Sequence, residues 1–155
     1  MRFSKITTSD KGVVLTWDAQ DEARAIHTHK LESTDAPGPD LVAAIEAFRP
    51  IITDLLKTPE RFIGEGCDIR GFSLSTTDDG QRGLVITLVK KLAKFKAPVT
   101  FNLPYLEEPT GEKRGPGFFP EGMSEAIEAL ETAAEAYVKG DRLQRELALA
   151  GDAAA

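Results

Sequence analysis

"DIRGFSLSTTDDGQRGLVITLVKKLAKF", residues 68–95, decides the fold, because its second half fits either of two periods. Leu84, Leu88, Leu92 and Phe95 fall at helical spacing. Val85, Ile86, Thr87 and Val89, however, are β-branched, stiff about χ1 and better placed on a pleated surface than on a helix. Leu84, Ile86 and Leu88 also alternate with a period of two. Asp79-Gly80 supplies residues that tolerate the positive φ of a tight turn, so 68–76 and the run from Leu84 form a hairpin. Ile69 is out of phase with Phe72 and Leu74, which predicts a bulge at Gly71.

The strand reading extends in both directions. After Pro98, Val99, Phe101 and Leu103 alternate on a third strand of the same meander. Upstream, Arg2–Thr8, the alternating GVVLTW (12–17) and Ala23–Glu32 make a first meander. Each meander leads to an amphipathic stripe. Leu41, Ala44, Ile45, Phe48, Ile52 and Leu55 follow an N-cap expected at Asp40, with Pro50 kinking or dividing the helix. Met123, Ile127, Leu130, Ala134, Tyr137 and Val138 line the second. Gly140 ends or interrupts that helix, and residues 142–149 regain helical composition. Residues 104–120, rich in Pro and Gly, read as a long surface loop. The expected fold class is α+β: an antiparallel sheet of two three-stranded meanders, each followed by a helix (βββα-βββα), with the helices on one face. Residues 1–150 make a single domain and 151–155 a disordered tail. Trp17, Phe48, Ile52, Leu84, Ile86, Leu88, Phe101, Ile127 and Leu130 are expected to share one core.

Composition narrows the function classes. With 41% hydrophobic and 28% charged residues, the 155-residue chain belongs among ordinary globular proteins. The single cysteine, Cys67, cannot form an intramolecular bridge, which favours a reducing, cytoplasmic setting. No stretch approaches the roughly 18–20 apolar residues of a membrane helix, so no membrane partner is expected. The chain lacks the phosphate-binding, dinucleotide, HExxH and GxSxG motifs, and no acid, base and nucleophile set converges, so it reads as a non-enzyme without cofactors. His27 and His29, at i and i+2 on one strand, supply two of the ligands a metal needs and Glu22 or Glu32 a carboxylate, but nothing marks the further ligands from elsewhere; no metal site is expected.

Charge is distributed unevenly. The net charge of −6 is made of −5 over residues 1–80, +5 over 81–106 and −6 over 107–155. The basic segment contains Arg82, Lys90, Lys91, Lys94 and Lys96 and no acids, and is close in sequence to Phe95, Phe101 and Tyr105. Lysines neutralise phosphates and exposed rings stack on unpaired bases, so the combination suits single-stranded nucleic acid. Lys113 and Arg114 join the patch if the 104–120 loop folds back over the sheet. The competing reading is a solvated strand edge, with lysines deterring aggregation and Phe95 and Phe101 packed inward.

"LESTDAPGPDLVAAIEAF" (31–48), "VITLVKKLAKFKAPVTFNLPYL" (85–106) and "EGMSEAIEALETAAEAYVKGDR" (121–142) resemble segments of small phage and prophage proteins encoded among recombination and replication genes. The resemblance implies an accessory protein working near DNA, or near proteins that handle DNA, and assigns no catalytic residues. Two functions stay open. One is weak nucleic-acid binding through the basic hairpin face, pooled over a homo-oligomer; the other is a protein-interaction module or inhibitor of a host protein, acting through its acidic helix.

Overall fold

The computed structural model describes residues 1–57, 59, 63, 66–141 and 151. Its strands are β1 (Arg2–Ser9), β2 (Gly12–Gln20), β3 (Ile26–Ser33), β4 (Cys67–Thr76), β5 (Arg82–Lys90), β6 (Val99–Asn102) and β7 (Leu106–Glu107). Helices α1 (Pro39–Glu46) and α2 (Phe48–Leu56) lie between β3 and β4; α3 (Met123–Ala136) follows β7 and runs into a π-helical turn, Tyr137–Asp141. The chain is thus α+β with a seven-stranded antiparallel sheet. Its element order is βββαα followed by ββββα, so the second half carries one strand more than the expected three. The helical composition of 142–149, and all but one residue of the tail expected at 151–155, lie outside the described residues.

Strand order is β3-β2-β1-β4-β5-β6, with β7 pairing the start of β5 beyond β6. The two meanders therefore meet at their first strands, β1 and β4, in the middle of the sheet. Both of these strands solve the same problem. Phe3 and Ile6 are three apart, a spacing that would put them on opposite faces of a regular strand. A register shift between Phe3 and Lys5 absorbs one residue, and both side chains are buried. In β4 the shift between Ile69 and Gly71 does the same for Ile69 and Phe72. The extra residue is Arg70, not the expected Gly71.

One core results. It takes Phe3, Ile6, Val13, Leu15, Trp17, Phe72, Leu84, Ile86 and Leu88 from one face of the sheet, and Phe48, Ile52, Ile127 and Leu130 from the helices above it. Eight of the nine residues expected in the core belong to it, and the ninth, Phe101, packs against it partly buried. The other face of the sheet carries Thr7, Thr16, Ser73, Thr87 and Asn102, and among the described residues no helix lies over it. Pro50 does divide the first helix. The break falls at Ala47, and Pro50 becomes the third residue of α2, where the missing backbone donor would be unpaired in any case. The N-cap of α1 is Gly38, not Asp40; Pro39 takes the first helical position and Asp40 the second, next to the positive end of the helix dipole. The Arg49 guanidinium grips both carboxylate oxygens of Glu46 (2.6 and 2.9 Å) and donates to the carbonyls of Ile63 (2.7 Å) and Cys67 (3.2 Å), fastening α2 to the entry of β4. Residues 104–120 are not simply a surface loop, since they supply β7, a bridge between Glu107 and Phe118, and the buried Phe119.

Candidate nucleic-acid interface

Strand β5 points Arg82, Leu84, Ile86, Leu88 and Lys90 to the helix-covered side. Its two ends are different places. At the far end Lys90 pairs with buried Cys67 across the ladder, and every residue of the connection to β6, residues 91–98, is exposed. Two backbone hydrogen bonds shape that connection: Lys91 N–H donates to Gly66 O (2.9 Å) and Phe95 N–H to Leu92 O (3.1 Å). Lys91, Lys94 and Lys96 are all exposed, and Phe95 is 65% exposed among them. Leu92, Phe95, Ala97 and Pro98, with the stems of Lys91 and Lys96, line a shallow recess of about 430 Å³. No acid occurs between Lys90 and Asn102. In general an exposed aromatic ring can stack a base while neighbouring lysines neutralise its phosphates.

The other predicted contacts lie elsewhere. Arg82 begins β5, and at about 3.3 Å per residue it stands roughly 26 Å from Lys90. Its guanidinium is held by Glu108, with Nη2 to Oε1 at 2.7 Å and Nε to Oε2 at 3.2 Å, and Glu128 is 3.8 Å away. The Glu108 carboxylate raises the Arg82 pKa and is itself held below the usual carboxylate range, chiefly by Arg82. Tyr105 lies over Gly83 and Ser75 on the sheet face opposite α1–α3: a Cβ at Gly83 would come within 2.0 Å of the Tyr105 hydroxyl. Lys113 and Arg114 sit in the loop that β7 ties to the start of β5, and Arg114 donates to the carbonyls of Gly111 (3.3 Å) and Lys113 (2.8 Å). The structure thus gathers Lys90, Lys91, Lys94 and Lys96 at one end of β5, and places Arg82, Tyr105, Lys113 and Arg114 toward the other. The loop does not fold back to join them.

Phe95 is the residue the sequence reading undervalued. The solvated-edge reading packs its ring inward with Phe101, whereas the strand ends at Lys90 and leaves it outside. The only signal was its position between two lysines, ahead of Pro98. The acidic helix is docked, burying Met123, Ala126, Ile127, Leu130 and Ala134, with Glu125 and Glu128 outward. Glu131 is partly covered, and burial pushes its carboxyl up. His27 and His29 share a face of β3; His27 meets Asp21 at 2.9 Å and His29 stacks on Trp17 with centroids 5.5 Å apart. No group of three or more possible metal ligands occurs among the described residues. The Cys67 thiol is buried, and that burial pushes its pKa up although Lys90 and Arg49 pull it down, which makes it a poor nucleophile. Among the described residues no helix is long and apolar enough to cross a membrane. No protein-family model, curated protein or solved structure matches the chain.

Proposed function

We propose that the chain is a non-enzymatic accessory protein of phage type, acting in the cytoplasm in DNA replication or recombination, and that the β5–β6 connection is its single-stranded nucleic-acid face. The observation that carries this is Phe95, a ring 65% exposed with Lys94 and Lys96 as its sequence neighbours and Lys91 beside the same recess. The phage setting comes from the resemblance of residues 31–48, 85–106 and 121–142 alone.

The interface consists of Lys90, Lys91, Lys94, Lys96 and Phe95. Arg82, Tyr105, Lys113 and Arg114 stand outside it, Arg82 because its charge is already matched by Glu108. Binding is weak in one copy, because a few phosphate contacts work against the acidic remainder of the chain. Several copies on one strand raise the affinity through effective concentration. The test is a titration of fluorescently labelled oligothymidylate at low salt with wild type, Phe95→Ala, and the Lys90, Lys91, Lys94 and Lys96 quadruple alanine variant. Wild type binds, Phe95→Ala binds roughly 5–100-fold more weakly, as removal of one stacking platform does, and the quadruple variant does not bind. If wild type fails to bind, the outward acids of α3 become the leading contact surface and a protein becomes the leading partner.

A further inference from the structure

The sheet treats its two edges differently. On the β5 side the edge is broken into β6, four residues, and β7, two residues, with Pro104 between them. On the other side β3 runs eight residues without a proline and pairs β2 in unbroken register, from Val13↔Ser33 to Gln20↔Ile26. No other strand among the described residues pairs with it. Natural sheets shorten, bulge or interrupt free edges because a long regular one is a template for another strand. The described chain that follows β3 also turns away from this edge. Beyond Ser33 it crosses over Gly12, where a Cβ would lie 1.8 Å from Ser33 O and 2.9 Å from the Thr34 Cα, so it turns inward over β2.

We infer that the free edge of β3 pairs antiparallel with β3 of a second copy of this chain, with Leu31 at the two-fold axis and Lys30 of each strand opposite Glu32 of the other. The register follows from charge. In a symmetric antiparallel pair, directly opposed residues lie on the same face. Centring on Lys30 opposes two lysines, and centring on Glu32 opposes two glutamates. Centring on Thr28 or His29 opposes no opposite charges within β3. Centring on Leu31 alone forms two cross-strand Lys–Glu pairs, and it sets the two Leu31 side chains, already packed at the margin of each core, against each other. Lys30 and Glu32 are side by side on the open face of the sheet and already form an ion pair within the strand, so the dimer closes a box of four alternating charges.

This surface is independent of the lysine loop, which lies at the opposite edge of the sheet. Sedimentation equilibrium over a range of protein concentrations tests it. The wild type should approach twice the 16.8 kDa of one chain. Lys30→Glu and Glu32→Lys each turn both cross-strand pairs repulsive and should each weaken the dimer about tenfold. The double exchange restores opposite charges and should return the dissociation constant to within about threefold of wild type. Emission of Trp17, which stacks on His29 two residues from the axis, reports that each variant is folded. Hydrogen exchange on wild type gives a second readout: the amides of 29–33 facing away from β2 should slow as concentration rises. A wild type that stays monomeric with concentration-independent exchange overturns the inference. So does a dimer indifferent to the single exchanges, or a double exchange no tighter than the singles.

Discussion

Replacing Glu108 by Gln separates a structural role for Arg82 from a nucleic-acid role. The Glu108 carboxylate accepts from Arg82 Nη2 (2.7 Å), Arg82 Nε (3.2 Å), the Arg82 backbone N–H (3.3 Å) and Ser124 Oγ (3.5 Å), joining β5, the loop after β7 and the first turn of α3. Both side chains are largely covered, at 21% and 27% exposure, so solvent only partly screens the pair. Gln keeps the shape and some of the hydrogen bonds but removes the charge, and hydrogen bonds to charged groups are worth about 1.5–3 kcal/mol against about 1 for neutral ones. The expected loss is therefore about 1–2 kcal/mol, and since a domain of this size moves about 2–4 °C per kcal/mol, the melting temperature should fall by roughly 2–8 °C.

The pH dependence carries the same signature. Arg82 lowers the folded-state pKa of Glu108, so the carboxylate stabilises the fold above its unfolded value of about 4.3, and that contribution is lost as pH falls through the depressed folded value. Urea melts of wild type and Glu108→Gln should differ most near neutrality and converge as pH falls through the depressed folded value. Equal stabilities at neutral pH, or a gap that stays constant into acid, would refute the ion-pair reasoning. Arg82→Ala should likewise destabilise the fold while leaving the affinity of folded protein for single strands unchanged.

Three further outcomes are expected. Leu130→Ala, at a fully buried position of α3, should cost about 2–5 kcal/mol in a chemical melt; an unchanged midpoint would mean that α3 does not cover the sheet. Gly12→Ala should prevent folding or lower the melting temperature sharply, because φ is 127° there and a Cβ would lie 1.8 Å from Ser33 O, whereas Gly80→Ala, with nothing near its Cβ, should suffer only from its positive φ. Chelator and added zinc should leave the melting temperature of wild type and of the His27→Ala/His29→Ala variant unmoved, and stoichiometric zinc lost in the double variant would contradict this.

The elements with a clear period were legible. Trp17, Leu84, Ile86 and Leu88 alternate, and Ile127 and Leu130 recur at helical spacing, so burial follows directly from sequence. What escaped depends on partners distant along the chain. Leu106–Glu107 is too short to show a period and becomes a strand only because Gly83 and Leu84 lie beside it. The bulge at Ser4 is visible only once Phe3 and Ile6 are known to face the same core. The capping position moved because Pro39 is itself suited to open a helix. The site was legible as charge but not as place. Eight positions part Arg82 from Lys90, about 12 Å on a helix and roughly 26 Å on the strand that forms. That difference splits one run of positive charge into two ends with different neighbours.

The most direct test of the lysine-loop interface is the salt dependence of single-strand binding, measured on wild type and on the Lys90, Lys91, Lys94 and Lys96 quadruple alanine variant. Each phosphate contact to a single strand contributes about 0.7 to the slope of log affinity against log salt, so four lysines give about −3. Wild type should show that slope, Arg82→Ala and Lys113→Ala should retain it, and the quadruple variant should lose it together with its affinity. A quadruple variant with the wild-type slope, or a wild type that fails to bind at low salt, would contradict the assignment.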